Sequence, residues 1–510
     1  MVSTSRGIIE DSSACILAHS IPSYTFFVDP KFWDPSNAIR LEGLVPEKTI
    51  KKLSSNLPGR FFPVLRKATL ERSRKIIGLG LPGLYSISEK QRLYPNKRLM
   101  SHILGFCDID DHGQSGLELR WDSILYSPPE VKILVKDSSG QKVDLANIAA
   151  DHEIESESEL KLTINSSFQY ILETRLEEGA LLNKAKWAAG ICMDPRSGAI
   201  LAIASWPSFD PNDRSSFNGK TNMLNNATGR VYEPGSTFKP IIVGLSLEKG
   251  IVRKEEIFNC RRTIRVADKT VSDPHAYGRL PLAGLIIKSS NVGMSQIGIR
   301  FDPFDTYNTL RSWGFGVEPE LELPGVEKGL LPPPEQWRGV VPANIAIGQG
   351  IAVTPLQLLS AISCIANGGH LLKPYLVSSA RDHRGNIVYR GGKRETRTVL
   401  SDNTASWLRK VMREVVIRGT GTLVNTPVVE IAGKTGTAQV AKRGVYQKGK
   451  WVSSFVGFWP YSSPRFSMLI VIGEPGGRDY YGGKVAGPVF RNVVEDLYRM
   501  KKNEIVLERK

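Results

Sequence analysis

With 510 residues, 41% hydrophobic and 23% charged, the chain has the composition of a folded protein with room for about two to four domains, not of a disordered one. Lys plus Arg exceed Asp plus Glu by 67 to 51, which favours an anionic partner or surface, but the excess is spread along the chain. No zinc-finger, RRM-like or basic-zipper pattern accompanies it, so nucleic acid is not the expected partner.

The five cysteines (Cys15, Cys107, Cys192, Cys260, Cys364) are odd in number and scattered, with no CxxC pair, which argues against a disulfide framework. The seven histidines never fall at ligand spacing, and neither a metal nor a cofactor is expected. No run of about 18 apolar residues occurs, so the given residues contain no membrane span. The start, Met-Val-Ser-Thr-Ser-Arg-Gly, does not read as a signal peptide.

Residues 1–160 read as a mixed, non-catalytic first domain. A strand is expected over Ile21 to Asp29 and a short helix over Pro46 to Leu53. The glycine-rich stretch Ile77 to Gly83 reads as a loop, because no strand and helix flank it as a phosphate cradle requires. The acidic stretch Asp151 to Glu159 is the expected linker.

From Leu160 the texture changes. A short strand over Leu162 to Asn165 leads into a helix over Ser166 to Leu182, with apolar residues at Phe168, Ile171, Leu172 and Leu176. Two apolar runs, Ala188 to Met193 and Ala199 to Ala204, are joined by Asp194-Pro-Arg-Ser-Gly198 and predict an antiparallel hairpin.

A candidate nucleophile follows. Ser236 and Lys239 are three apart near a helix start, where side chains share one face and an amine can reach a hydroxyl. The same spacing occurs at Ser139–Lys142, Ser158–Lys161 and Ser246–Lys249. Context separates them: Phe238, Ile241, Ile242 and Leu245 mark a one-faced helix, and Pro240 must lie near its beginning. Ser236 is thereby placed at the first turn, where free N–H groups favour developing negative charge.

Two further constellations join it. Pro281 to Ile299 is apolar and helical in period, yet contains Lys288-Ser-Ser-Asn291, a polar quartet that must find partners. Ser-x-Asn also occurs at Ser401-Asp-Asn403, where N-capping of the helix over Trp407 to Val416 is the simpler reading. Near the C-terminus Lys434-Thr-Gly-Thr437 precedes strand-like runs over Val452 to Trp459 and Phe466 to Gly473. On a strand Thr435 and Thr437 share one face, and Gly436 between them would let a substrate backbone approach.

Ser-x-x-Lys, then Ser-x-Asn, then Lys-Thr-Gly on a late strand is the ordered trio of penicillin-binding proteins and class A β-lactamases. The chain resembles the class B penicillin-binding proteins, the peptidoglycan D,D-transpeptidases, over most of its length. Arg6-Gly-Ile-Ile9 resembles the family's segment just outside the membrane, and Arg92-Leu-Tyr-Pro95 and Gly116-Leu-Glu118 resemble motifs of its N-terminal pedestal. Asp194 to Gly198, Glu233 to Lys239, Ile347-Gly-Gln-Gly350 and Thr354-Pro-Leu-Gln357 resemble its transpeptidase domain.

The resemblance implies an α+β fold: a pedestal or dimerisation-type domain over 1–160 and a transpeptidase domain over 161–510, with an antiparallel sheet between helices. It implies Ser236 as nucleophile, Lys239 as its base, Ser289 and Asn291 as relay and orienting groups, Lys434 as the second cation that with burial lowers the Lys239 pKa, and Thr435, Gly436 and Thr437 as substrate contacts. Implied partners are peptidoglycan stem peptides, β-lactams, a septal glycosyltransferase and other division proteins. Ser289 to Gly293 and Gly419-Thr-Gly-Thr422 resemble the septal branch more than the elongation branch. Members usually begin with a cytoplasmic tail and one membrane helix, so an anchor upstream of Arg6 and an extracytoplasmic catalytic domain are expected. A β-lactamase, a drug sensor, an elongation-branch transpeptidase and a catalytically idle division scaffold are the alternatives.

Overall fold

A computed structural model describes residues 5–59, 61–127, 134–136, 142–144, 157–442 and 445–508. The expected linker falls outside these residues except for 157–159, as does Ser139.

Five strands form the central sheet: β1 (Trp187–Met193), β2 (Ile200–Trp206), β3 (Ala432–Lys442), β4 (Val445–Trp459) and β5 (Phe466–Gly473). Their order is β2-β1-β5-β4-β3, antiparallel throughout, which leaves β3 at an edge. The predicted hairpin is β1–β2, turning through Gly198 at φ 83°.

Alternation along the strands builds two cores. Ile470 and Ile472 join Phe455, Trp459 and the helices α1 (Ser166–Leu182) and Gly482–Glu508 on one face. Leu469 and Val471 join Ile241, Ile242, Leu285 and Leu358 on the other. Helix α1 has the expected bounds; Asn165 caps it by accepting from the Phe168 N–H. Its Gly179 is set by packing, since a Cβ there would lie 2.4 Å from Val489 Cγ2.

The N-terminal part contributes a second sheet. Ile387–Arg390, Val377–Arg381, Glu159–Leu162, Ile8–Glu10, Ile16–Val28 and Phe62–Ala68 pair in that order, and Leu84–Leu93 also pairs with Ile16–Val28. The strand expected over Ile21 to Asp29 is therefore longer, and the short helix is Glu47–Leu53. The proposed boundary at 160/161 falls inside Glu159–Leu162, whose neighbours are Ile8–Glu10 on one side and Val377–Arg381 on the other. Hydrogen bonding thus runs continuously from the first residues into the late part of the chain.

The Arg6 segment and the two pedestal motifs meet at one buried carboxylate. Glu118, 0% exposed, accepts from Arg6 Nε at 2.5 Å, Arg92 Nε at 2.7 Å and the Tyr94 hydroxyl at 3.2 Å. Arg6 also donates to Asp122 at 2.7 Å, and Arg92 to the Gly7 carbonyl at 2.6 Å. Burial pushes the Glu118 carboxyl up, and Arg92 and Arg6 together bring it below its ordinary value. Removing one partner of such a cluster strands the others, so Glu118→Ala is expected to cost about 3–5 kcal/mol of unfolding free energy. Chemical denaturation checks this; a loss under about 1 kcal/mol would show the cluster to be no more than a surface pair.

Candidate active site

The stretch carrying Ser236 is a single 3-10 turn, Gly235–Phe238, that runs into helix α2 (Lys239–Glu248) with Pro240 in its first turn. Ser236 is half-buried, whereas Phe238 and Lys239 are fully buried. Gly235 sits at φ 55°, and its N–H donates to the Gly348 carbonyl at 2.9 Å. A Cβ on Gly348 would lie 2.1 Å from the Gly235 carbonyl oxygen. The Ile347-Gly-Gln-Gly350 motif is therefore a buttress beneath the turn that carries Ser236. Thr354-Pro-Leu-Gln357 forms a capping box, and Gln357 Nε2 donates to the carbonyls of Gly314, Val317 and Lys328.

The polar quartet interrupts the apolar segment as a break between two helices, α3 (Leu282–Ile287) and α4 (Asn291–Gly298). Ser289 lies in the break at φ 59°, a left-handed conformation that costs a non-glycine residue about 1 kcal/mol. The conformation lets both its oxygens face one amine: Lys239 Nζ donates to the Ser289 carbonyl at 2.6 Å and lies 3.3 Å from its Oγ. Asn291 Oδ1 accepts from the same amine at 2.8 Å.

Lys434, on β3, reaches Ser289 Oγ at 3.0 Å. Two fully buried lysines thus share one hydroxyl. Burial pushes the Lys239 amine down to about 7, opposed by the carboxylate of Asp273. Lys434 is driven well below its ordinary value, first by burial and then by the charge of Lys239. The repulsion expected from the second cation therefore falls chiefly on Lys434.

Asp273 carries no signal in the sequence. It is a buried residue in a small β excursion, and its Oδ2 accepts from Ser290 Oγ at 2.6 Å. Its Oδ1 accepts from the Asn291 N–H at 2.5 Å, at the first turn of α4. The pair of bonds fixes the Ser-Ser-Asn segment against Lys239.

Thr435 and Thr437 line one cleft with Ser236, Ser289 and Asn291, about 450 Å³ in volume. Thr435 Oγ1 lies 2.7 Å from Thr420 Oγ1, which brings the Gly419–Thr422 motif into the site. Thr437 Oγ1 accepts from the Gly482 N–H at 3.0 Å. Gly436 also serves the packing of its strand. A Cβ there would lie 2.4 Å from Ser454 Oγ and 2.8 Å from Thr237 Cγ2, so the glycine lets β3 pack against β4 and the Ser236 turn. Trp451, Tyr480 and Tyr481 stack in series at 4.6 and 4.5 Å, and Tyr481 reaches the cleft mouth.

Of the other Ser-x-x-Lys pairs, Ser246 lies within α2, as expected. Ser401 accepts from the Thr404 N–H and caps its helix, so Ser401-Asp-Asn403 is structural.

Residues 188–495 match the family model described as the penicillin-binding protein transpeptidase domain, and residues 1–153 that of the penicillin-binding protein dimerisation domain. The peptidoglycan D,D-transpeptidase FtsI of Escherichia coli K12 is 31% identical over 98% of this chain and 84% of its own length. The probable peptidoglycan D,D-transpeptidase PenA of Neisseria gonorrhoeae is 30% identical over 96% of this chain and 83% of its own. The crystal structure of penicillin-binding protein 3 from Mycobacterium tuberculosis, 25% identical, covers 98% of this chain and 97% of its own with a TM-score of 0.75. No helix among the described residues is long and apolar enough to cross a membrane. The chain belongs to the penicillin-binding proteins, the family of peptidoglycan D,D-transpeptidases, with a dimerisation-type domain ahead of its α+β transpeptidase domain.

Proposed function

We propose that this chain cross-links peptidoglycan stem peptides through an acyl-enzyme on Ser236. The observation that carries this reading is the pair of buried lysines meeting at Ser289 Oγ beside an accessible serine. Ser236 Oγ attacks the carbonyl carbon of the penultimate D-Ala, and its proton passes to neutral Lys239 Nζ. Backbone N–H groups of Ser236 and Thr437 receive the oxyanion. The C–N bond to the terminal D-Ala then breaks, and that amine takes a proton relayed through Ser289 Oγ. An amine of a neighbouring stem attacks the ester, the new amide forms, and Ser236 Oγ regains its proton. Thr435 and Thr437 hold the terminal carboxylate.

Ser289–Gly293 and Gly419–Thr422 support the septal branch, with a septal glycosyltransferase and other division proteins as partners. In this reading the catalytic domain acts outside the cytoplasm, tethered at the cell membrane.

Incubation with a D-Ala-D-Ala stem peptide and an amine acceptor is expected to release D-alanine and yield cross-linked product. Penicillin is expected to leave a long-lived ester on the peptide containing Ser236. Rapid clearance of that ester would indicate a hydrolase and overturn the reading.

Asp273 acts as a positioning residue. Its charge favours the Lys239 ammonium, so Asp273→Asn makes the lysine give up its proton more readily and moves the acid limb of the acylation profile to lower pH. Acylation rates measured against pH check this; an unmoved limb would make Asp273 a packing residue only.

A further inference from the structure

A cavity separate from the cleft at Ser236 lies where three segments meet. It has a volume of about 270 Å³ and shares no lining residue with that cleft. One wall is the segment 313–320, which follows the helix Pro303–Ser312. The others are the first turns of the helix Pro355–Ala366 and the antiparallel pair His370–Leu372 and Glu395–Thr398.

Three of its polar groups are accessible and unused. Trp313 belongs to the core and is only 2% exposed, yet its indole N–H donates to no group among the described residues and is not sealed from solvent. Buried indoles satisfy that N–H, so this one is open to an acceptor that enters the cavity. Arg397 and Glu318 stand exposed on the rim, and neither charged group has a partner among the described residues. The neighbouring charges are engaged: Arg311 Nη1 donates to the Gly316 carbonyl at 3.3 Å, and Lys373 pairs with Glu320 at 2.5 Å.

Leu371, Leu372 and Pro374 supply an apolar wall beside these groups. Small-molecule sites combine such a wall with a few polar groups that fix orientation. A simple anion would gain Arg397 and the Trp313 N–H but meet the Glu318 carboxylate, and a simple cation would meet Arg397. A molecule that carries both charges on a small apolar body satisfies all three. At the density of a protein interior the cavity holds a ligand of about ten heavy atoms.

We propose that this cavity binds a free α-amino acid with an apolar side chain, its carboxylate held by Arg397 and the Trp313 N–H, its ammonium by Glu318, and its side chain against Leu371 and Pro374. The site uses no group of the Ser236 cleft, so it stands apart from the acyl-transfer reading. A bound amino acid ties the segment 313–320 to the strand pair across the cavity.

Ligand-detected saturation-transfer NMR on the full chain tests it, with L-leucine and D-leucine as probes. At least one enantiomer should bind saturably with a Kd of about 1 mM or tighter, the range open to a ligand of about nine heavy atoms. 4-Methylpentanoate lacks the ammonium and 3-methylbutylamine the carboxylate, and each should compete about tenfold more weakly or worse. Arg397→Gln should weaken leucine binding by about tenfold, and Trp313→Phe, which keeps a ring but loses the N–H, by about fivefold. No saturation by either enantiomer up to about 10 mM, an unchanged Kd in either variant, or equal competition by 4-methylpentanoate would overturn the proposal. Arg397 is exposed, so its variant decides the matter even if Trp313→Phe fails to fold.

Discussion

Ser236→Ala is expected to abolish covalent labelling by a fluorescent penicillin and to leave the fold unchanged. The hydroxyl is the atom that would form the ester, and Ala at this position offers nothing in its place. Structural damage is not expected. Ser236 is half-buried at a cleft wall, and the turn is held by Gly235, by Thr237 Oγ1 donating to the Pro234 carbonyl at 2.7 Å, and by the buried Phe238 ring. Truncations at such positions change stability by about 0.5 kcal/mol or less. Labelling is read on a gel and by intact mass, with thermal unfolding beside them. Labelling of Ser236→Ala at the unmodified rate would move the nucleophile elsewhere and sink the assignment.

What could be read in the chain was local or ordered. Helix α1 announced itself by apolar spacing and by Asn165, and both bounds agree. The β1–β2 hairpin followed from two apolar runs around a Pro-Gly turn. The trio of motifs was legible because the three keep a fixed order, and the structure brings Ser236, Ser289, Asn291, Thr435 and Thr437 to one cleft, with Lys239 and Lys434 beneath it.

What could not be read depends on contacts between distant segments. Asp273 is a lone carboxylate between short strands, and only its packing against Ser290 and Asn291 gives it a role. Gly436 reads in the sequence as room for substrate, and only the fold shows that Ser454 and Thr237 also pack into the space its missing Cβ leaves. Arg6, Arg92 and Glu118 were recognisable as motifs, yet their meeting in one buried cluster is a property of the fold. The pairing of Glu159–Leu162 with both Ile8–Glu10 and Val377–Arg381 is equally invisible to a boundary drawn from composition.

Lys239 offers the sharpest test of mechanism, because its task as a base differs from its charge. Lys239→Ala is expected to lower penicillin acylation by about 10²- to 10⁴-fold, the worth of a positioned acid or base. Lys239→Arg should lose about as much. An arginine keeps the positive charge but does not give up its proton at working pH, so it can balance an anion and cannot accept from Ser236. Recovery of acylation in Lys239→Arg would show that charge alone suffices and would remove the base role. In the unmodified protein the rate should rise as Lys239 loses its proton near pH about 7 and then level off. About one unit below that midpoint, only about a tenth of the lysine is neutral and the rate falls accordingly. The same burial gives the stability of the variant a sign. An amine held down to about 7 against an ordinary value of 10.5 makes the folded state bind fewer protons than the unfolded state between those values. The penalty is therefore largest at low pH and is relieved as pH rises through that window. Lys239→Ala removes it, so the variant should unfold at a higher temperature than the unmodified protein, most clearly below neutral pH. A lower unfolding temperature would mean that the three contacts of Lys239 Nζ to Ser289 and Asn291 outweigh its desolvation.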